Sequence, residues 1–165
     1  DLKAHEQHSG KKIQYFDNET NESYVPYVVE TSVGVDRMFL SVFATSLKEE
    51  VLEDGSERVV LALPAALSPI KAAILPLVKK DGLPEFAEQI VKKLRLDYNV
   101  IYEEKDSIGK RYRRMDVIGT FFWITVDHDS LNDNSVTLRL RDTMEQKRVV
   151  VDELADIIEK EVNMK

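Results

Sequence analysis

The sequence contains no cysteine. That excludes a disulfide framework, a thiolate metal site and a cysteine nucleophile, and nothing in the chain argues for an oxidising compartment. Glycine and proline are scarce, at 6 and 5 of 165 residues, which excludes collagen-like, Pro/Gly-rich and broadly disordered classes. No apolar run approaches the roughly 20 residues that a membrane-spanning helix needs. The opening residues Asp1-Leu2-Lys3-Ala4-His5 carry neither the apolar stretch of a secretory signal nor an initiator methionine, so the chain is expected to begin inside a longer reading frame. Positive charge is also short, with 23 basic against 30 acidic residues and a net charge of -7. The whole deficit lies in the first third: residues 1–57 hold 5 Lys/Arg and 12 Asp/Glu, whereas residues 58–165 hold 18 of each. That change, with the acidic turn Glu53-Asp54-Gly55-Ser56-Glu57, predicts a boundary between two structural units. An acidic total disfavours indiscriminate adhesion to nucleic acid and leaves room for a local basic patch.

What is present reads as a folded chain of one or two domains, 43% apolar and 32% charged. Lys12–Phe16 looks extended, Asp17–Asn21 looks like a turn, and Tyr24–Glu30 is β-prone. From Val35 to Leu47, Met38, Phe39, Val42, Phe43 and Leu47 recur at helical spacing. Leu40 and Ala44 make the opposite side apolar too, so the pattern predicts a helix buried on most of its circumference by a body this chain does not supply. A strand over Arg58–Leu63 and a linker over Ala65–Pro69 follow. After residue 68 the pattern predicts the order β-α-β-α-β-β-α. Its parts are a strand over Ile70–Val78, a helix opened by Pro84 with Phe86, Ala87, Ile90, Val91 and Leu94 inward, and a strand at Asn99–Tyr102. Then come a helix capped by Asp106 or Ser107 and ended by Gly119, the apolar strand Phe121–Val126, a half-wet strand through Val136, Leu138 and Leu140, and a last helix after Asp152. This is an α/β fold, a small two- or three-layer domain around a mixed sheet.

Two constellations carry chemistry. In Glu30-Thr31-Ser32-Val33-Gly34-Val35-Asp36-Arg37 a strand hands over to a helix through a glycine that permits close approach of a ligand to backbone. Arg37 offers a rigid fork of donors for an anion, Glu30 a partner for an ammonium, and Ser32 a donor for a carboxylate. A plain turn followed by a surface Asp36–Arg37 pair is the alternative. The second constellation is basic: Lys105, Lys110, Arg111, Arg113 and Arg114 fall within ten residues, with Tyr102 and Tyr112 beside them to stack on bases or to fill the edge of the core. A solvated helix face is the competing reading. His5 and His8 share a helical face without a third ligand, and His128 sits in the loop Asp127-His128-Asp129; both read as surface histidines rather than metal ligands. There is no GxxxxGK loop, no dinucleotide fingerprint and no nucleophilic triad.

Taken together, these segments resemble one family. Tyr24-Val25-Pro26-Tyr27-Val28-Val29-Glu30-Thr31-Ser32-Val33-Gly34-Val35-Asp36-Arg37 resembles the third signature motif of class II aminoacyl-tRNA synthetases, in the version of the dimeric glycyl-tRNA synthetases. Asp1-Leu2, His5 and Ser9-Gly10 resemble the segment before it. Leu67–Leu77, Ser107–Asp116, Ile118-Gly119-Thr120 and Arg139 with Arg141–Gln146 resemble that family's anticodon-binding domain, in the same order. The resemblance implies a C-terminal piece of such an enzyme: residues 1–64 as the remnant of the catalytic domain, and residues 65–165 as an anticodon-binding-type domain with a mixed sheet flanked by helices.

It also implies roles. Glu30 would hold the glycine ammonium and Ser32 would help bind the amino acid. Gly34 would let adenosine lie against backbone, and Arg37, the catalytic residue, would grip the ATP phosphates as pyrophosphate leaves. Lys110, Arg111, Arg113, Arg114, Arg139 and Arg141 would lie near RNA, some of them as structural ion-pair partners. The implied partners are tRNA(Gly), glycine, ATP as substrate and a second subunit, with Mg2+ in the full-length enzyme and no ligand for it identified here; the implied location is cytoplasmic. Thr31 stands where the family usually has proline, a residue that would stiffen the approach to Ser32. Because the first two class II motifs are missing, the isolated chain is expected to lack aminoacylation activity. The competing function is a standalone, non-catalytic RNA- or protein-binding α/β module.

Overall fold

The computed structural model describes residues 1–52 and 54–163; Glu53 of the acidic turn therefore lies outside the described residues. Internal contacts divide the chain into two units, Asp1–Val35 and Asp36–Lys165, whereas the boundary expected at 64/65 falls inside the second. Among the described residues no helix is long and apolar enough to cross a membrane.

The first unit is small. Helix α1 (Leu2–Ser9) stops at Gly10, whose backbone turns left-handed (φ 67°) and donates its N–H to Glu6 O at 3.0 Å. Strands β1 (Tyr15–Asp17) and β2 (Glu22–Tyr24) form an antiparallel hairpin in which Tyr15 pairs with Tyr24, their rings edge-on at 5.8 Å. The expected strand over Tyr24–Glu30 ends at Tyr24, and residues 25–34 carry no regular structure. Val25, Val28 and Val29 favour a pleated surface, but that preference needs a ladder partner to act, and among the described residues none pairs with them.

Helix α2 (Val35–Ser46), all but its first residue in the second unit, runs directly into β3 (Leu47–Val51) and its antiparallel partner β4 (Glu57–Leu61). The helix forms where its periodicity placed it, yet Met38, Phe39, Leu40 and Phe43 are exposed and only Ser46 is buried. At those four positions its apolar side chains are open to solvent. The expected strand at 58–63 is the second arm of a hairpin; its first arm, Leu47-Lys48-Glu49-Glu50-Val51, is charged and mostly exposed, so hydrophobic alternation gave no sign of it.

The rest is a five-stranded mixed sheet in the order β6-β5-β7-β8-β9. Its elements are β5 (Ala72–Pro76), α3 (Leu83–Leu94), β6 (Val100–Tyr102), α4 (Ile108–Val117), β7 (Phe122–Val126), the short α5 (Ser130–Asp133), β8 (Ser135–Leu140), β9 (Gln146–Val150) and α6 (Leu154–Val162). Strand β5 is parallel to β6 and β7, while β8 is antiparallel to both of its neighbours. Period-two alternation sends one set of side chains to each face. Ala72 and Ile74 of β5, with Phe122, Ile124 and Val126 of β7, meet Leu83, Ala87, Ile90 and Leu94 of α3 and Leu154 and Ile158 of α6. Ala73, Leu75 and Trp123 meet Met115 of α4 on the other side. The result is three layers, with α3 and α6 on one face and α4 on the other. Strand β9 was not expected: Gln146, Lys147 and Arg148 are exposed and only Val149 is buried, as an edge strand allows.

Gly119 closes α4 with φ 78°, and a Cβ there would stand 2.9 Å from Leu61 O. Both the left-handed turn and the close passage of the Leu61 backbone require glycine.

Candidate nucleic-acid interface

Helix α4 turns Ile108, Tyr112, Met115 and Ile118 toward the sheet, a spacing that puts Lys110 and Arg113 on the opposite side. Both are exposed, as is Lys105 before the helix, and among the described residues none of the three side chains makes an ion pair or hydrogen bond. The neighbouring arginines are placed differently. Arg111 is 3% exposed and donates to the carbonyls of Pro76 (2.6 Å), Asp106 (3.1 Å), Glu103 (3.3 Å) and Leu77 (3.4 Å). It closes the ends of β5 and β6 from within. Arg114 bonds Glu103 at 2.6 Å and Asp106 at 2.7 Å. Burial pulls the Glu103 carboxyl upward, but hydrogen bonds from the Lys105 N–H and the Arg114 guanidinium outweigh it and hold the group below its ordinary range.

Arg141 is 1% exposed. Its Nη1 donates to Leu61 O (3.2 Å) and Gly119 O (3.1 Å), its Nη2 to Leu63 O (2.6 Å), and its Nε to Asp142 (2.7 Å). Arg58 in turn donates to Arg141 O at 2.6 Å, and Lys71 Nζ donates to the carbonyls of Ala65, Ala66 and Ser68. The expected linker at 65–69 is thus pinned to the sheet domain by cations. Arg111 and Arg141, expected near RNA, lie inside the fold with their donors taken by backbone carbonyls and, for Arg141, also by the Asp142 carboxylate. A cationic side chain in an apolar setting must find acceptors, and sequence does not separate that duty from a surface one.

Arg139 of β8 is half-buried, its guanidinium 4.8 Å from the Tyr112 ring centre and 4.9 Å from that of Trp123. The two rings stack at 5.0 Å and 16°, and the Tyr112 hydroxyl shares a 2.8 Å hydrogen bond with Thr125. Tyr102 packs against the core and donates to Glu104 at 2.6 Å, and burial pushes its hydroxyl pKa up. Both tyrosines therefore fill the core edge. Two residues that the sequence did not single out complete this face: Arg58, 5% exposed, and Asp116, 3% exposed, with Nε and Oδ2 3.2 Å apart. The available signal was a charge at an inward position of each element.

Glu30, Ser32 and Gly34 lie exposed in the irregular stretch of the first unit, and Arg37 lies exposed in the first turn of α2 in the second. None of the side chains of Glu30, Ser32 and Arg37 makes a hydrogen bond or ion pair among the described residues. His5 and His8 are exposed on α1, and His128 stands 3.2 Å from Asp81. Among the described residues no three His, Asp or Glu side chains converge as a metal site, and none is assigned to Mg2+.

Residues 71–161, the sheet and its three flanking helices, match the family model described as "Anticodon binding domain". The chain belongs to the anticodon binding domain family. Around that domain the likeness extends further. The chain is 49% identical to the glycine–tRNA ligase of Clostridium tetani over 162 residues, covering 98% of this chain and 35% of that protein. It is 53% identical to the glycine–tRNA ligase of Alkaliphilus oremlandii over 154 residues, covering 93% and 33%. It thus spans about a third of the length of the curated relatives it matches. Among solved structures, the RNA binding domain of threonyl-tRNA synthetase from Cryptosporidium parvum matches 61% of the chain, and 25% of that chain, with TM-score 0.56 and 25% identity. In the anticodon binding domain of this chain, Lys105, Lys110 and Arg113 are exposed cations on or just before α4, and the half-buried Arg139 lies on β8.

Proposed function

We propose that this chain is part of a glycine–tRNA ligase that activates glycine with ATP and transfers it to tRNA(Gly), and that residues 65–165 supply the RNA contact. The observation that carries the reading is the exposed, unpaired Lys110 and Arg113 on the helix of a domain whose family is anticodon-binding. Phosphates meet these cations, while unstacked bases meet the adjoining face by stacking and edge hydrogen bonds. Within the same reading residues 1–64 belong to the catalytic part. Glu30 and Ser32 bind glycine, Gly34 admits adenosine, and Arg37 neutralises the phosphates. The remainder of a homodimeric, cytoplasmic enzyme supplies the other contacts to ATP and Mg2+. The support for these roles is residue type and order, a carboxylate, a hydroxyl, a glycine and a guanidinium in the run 30–37.

Neutralising the two free cations tests the RNA contact. The double variant Lys110→Gln and Arg113→Gln is expected to bind tRNA(Gly) more weakly and to lower the slope of log affinity against log salt by roughly 1.4, the value for two lost single-strand phosphate contacts. Filter binding at several salt concentrations reads both quantities. An unchanged affinity and slope would remove α4 from the interface.

A further inference from the structure

A cleft of about 180 Å³ opens beside the exposed cations, walled by Arg58 of β4, Tyr112, Arg113 and Asp116 of α4, and Arg139 of β8. Its polar lining is unmatched. Among the described residues Arg58 Nε and Nη1, Arg139 Nε and Asp116 Oδ1 are all shielded from solvent and have no hydrogen-bond partner. Arg58 and Asp116 are each more than nine-tenths buried. Their mutual approach of 3.2 Å, and that of Arg58 Nη1 to Glu50 at 3.8 Å, are ion-pair contacts that leave these N–H donors unsatisfied. Native folds retain few such atoms, and each calls for an explanation. Among the residues that wall the cleft, three donor nitrogens and one carboxyl oxygen are thus unmatched, an excess of donors over acceptors.

We propose that this cleft is an oxyanion pocket, in which a phosphate-class anion accepts from Arg58 and Arg139 and is admitted when the Asp116 carboxyl carries a proton. The charged groups around that carboxyl come from every packed element. Arg58 and Glu50 belong to the β3–β4 hairpin, Arg139 to β8, Arg141 to the turn after it, and Arg113 and Tyr112 to α4 itself. Burial pushes the Asp116 pKa up to about 7 against the pull of Arg58 and Arg139, so the proton exchanges near neutrality. Protonated, Oδ1 donates to the anion; ionised, it repels it. The anion is either a backbone phosphodiester or a free dianion, and the pocket does not depend on the surrounding face binding RNA.

Dimethyl phosphate and sulfate separate those sources, and neither changes its own charge between pH 6 and pH 8. Titrated into the chain and followed by the fluorescence of Trp123, which lies against Arg139, at least one of them is expected to bind saturably and roughly tenfold tighter at pH 6 than at pH 8, the dependence of a single proton. Preference for dimethyl phosphate assigns the pocket to an RNA backbone, and preference for sulfate assigns it to a free dianion. Asp116→Asn is expected to bind at pH 8 as tightly as at pH 6. Arg139→Gln, with its unfolding midpoint checked, is expected to lose binding. No saturable binding at pH 6, equal affinity at both pH values, or an Arg139→Gln chain that binds like the native one would each overturn the proposal. If Asp116→Asn does not fold, the pH dependence of the native chain and the Arg139 variant decide it.

Discussion

Replacing Arg141 with alanine is expected to lower the stability of the sheet domain by about 3–5 kcal/mol, the range for removing one partner from a buried charged network. The guanidinium serves Leu61, Leu63 and Gly119 at once from a position 1% exposed, and its Cζ lies 5.1 Å from the Phe121 ring centre. Alanine would leave those carbonyls without a donor, and each buried group left unpaired costs about 1–3 kcal/mol. It would also open a void beside Phe121. Arg141→Lys restores the charge but not the planar fork, so an intermediate loss is expected. Urea unfolding followed by Trp123, the single tryptophan and fully buried, gives the number. A loss below about 1 kcal/mol would show that water replaces the side chain at little cost.

The second large effect is one of pH. Asp116 has its pKa pushed from 3.8 to about 7, chiefly by burial. Between those values the folded chain holds a proton that the unfolded chain has released, so stability falls as pH rises through the window. The favourable contribution is complete below about pH 4 and gone above about pH 7. A shift of this size corresponds to about 4 kcal/mol. Carboxyls held low, such as Asp127 and Glu103, act in the opposite sense at more acidic pH, so the informative quantity is a difference between two chains. Relative to Asp116→Asn, the native chain is expected to lose stability steadily from pH 4 to pH 7 and then level off. Urea midpoints that run parallel for the two chains would show that the carboxyl is not desolvated as its position implies.

Alternation and helical spacing made most of the sheet domain legible. Ala72–Pro76 and Phe122–Val126 are buried throughout and, Thr125 apart, apolar because helices cover both faces, and α3 announces itself by Pro84 and its inward stripe. Elements whose stability comes from pairing rather than burial were not visible: β3 carries Lys48, Glu49 and Glu50, and β9 carries Gln146, Lys147 and Arg148. The run after Tyr24 erred the other way, since β-branched residues invite a strand that no neighbour completes. At the interface the cluster 105–114 was recognisable as basic. Residue type alone did not reveal that Arg111 faces the carbonyls of Pro76 and Glu103 while Arg113, two positions on, faces solvent. Likewise, the pairing of Arg58 with Asp116 joins positions 58 residues apart, which only the folded hairpin on α4 brings together.

The sharpest test of an anticodon-reading domain is a titration of the chain with two RNA stem-loops at one salt concentration, one carrying the anticodon of tRNA(Gly) and one with its anticodon bases exchanged. Binding of the first is expected to be tighter by about tenfold, which corresponds to about 1.4 kcal/mol of discrimination. Equal affinity for both would leave a phosphate-binding surface without base recognition and would contradict the assignment.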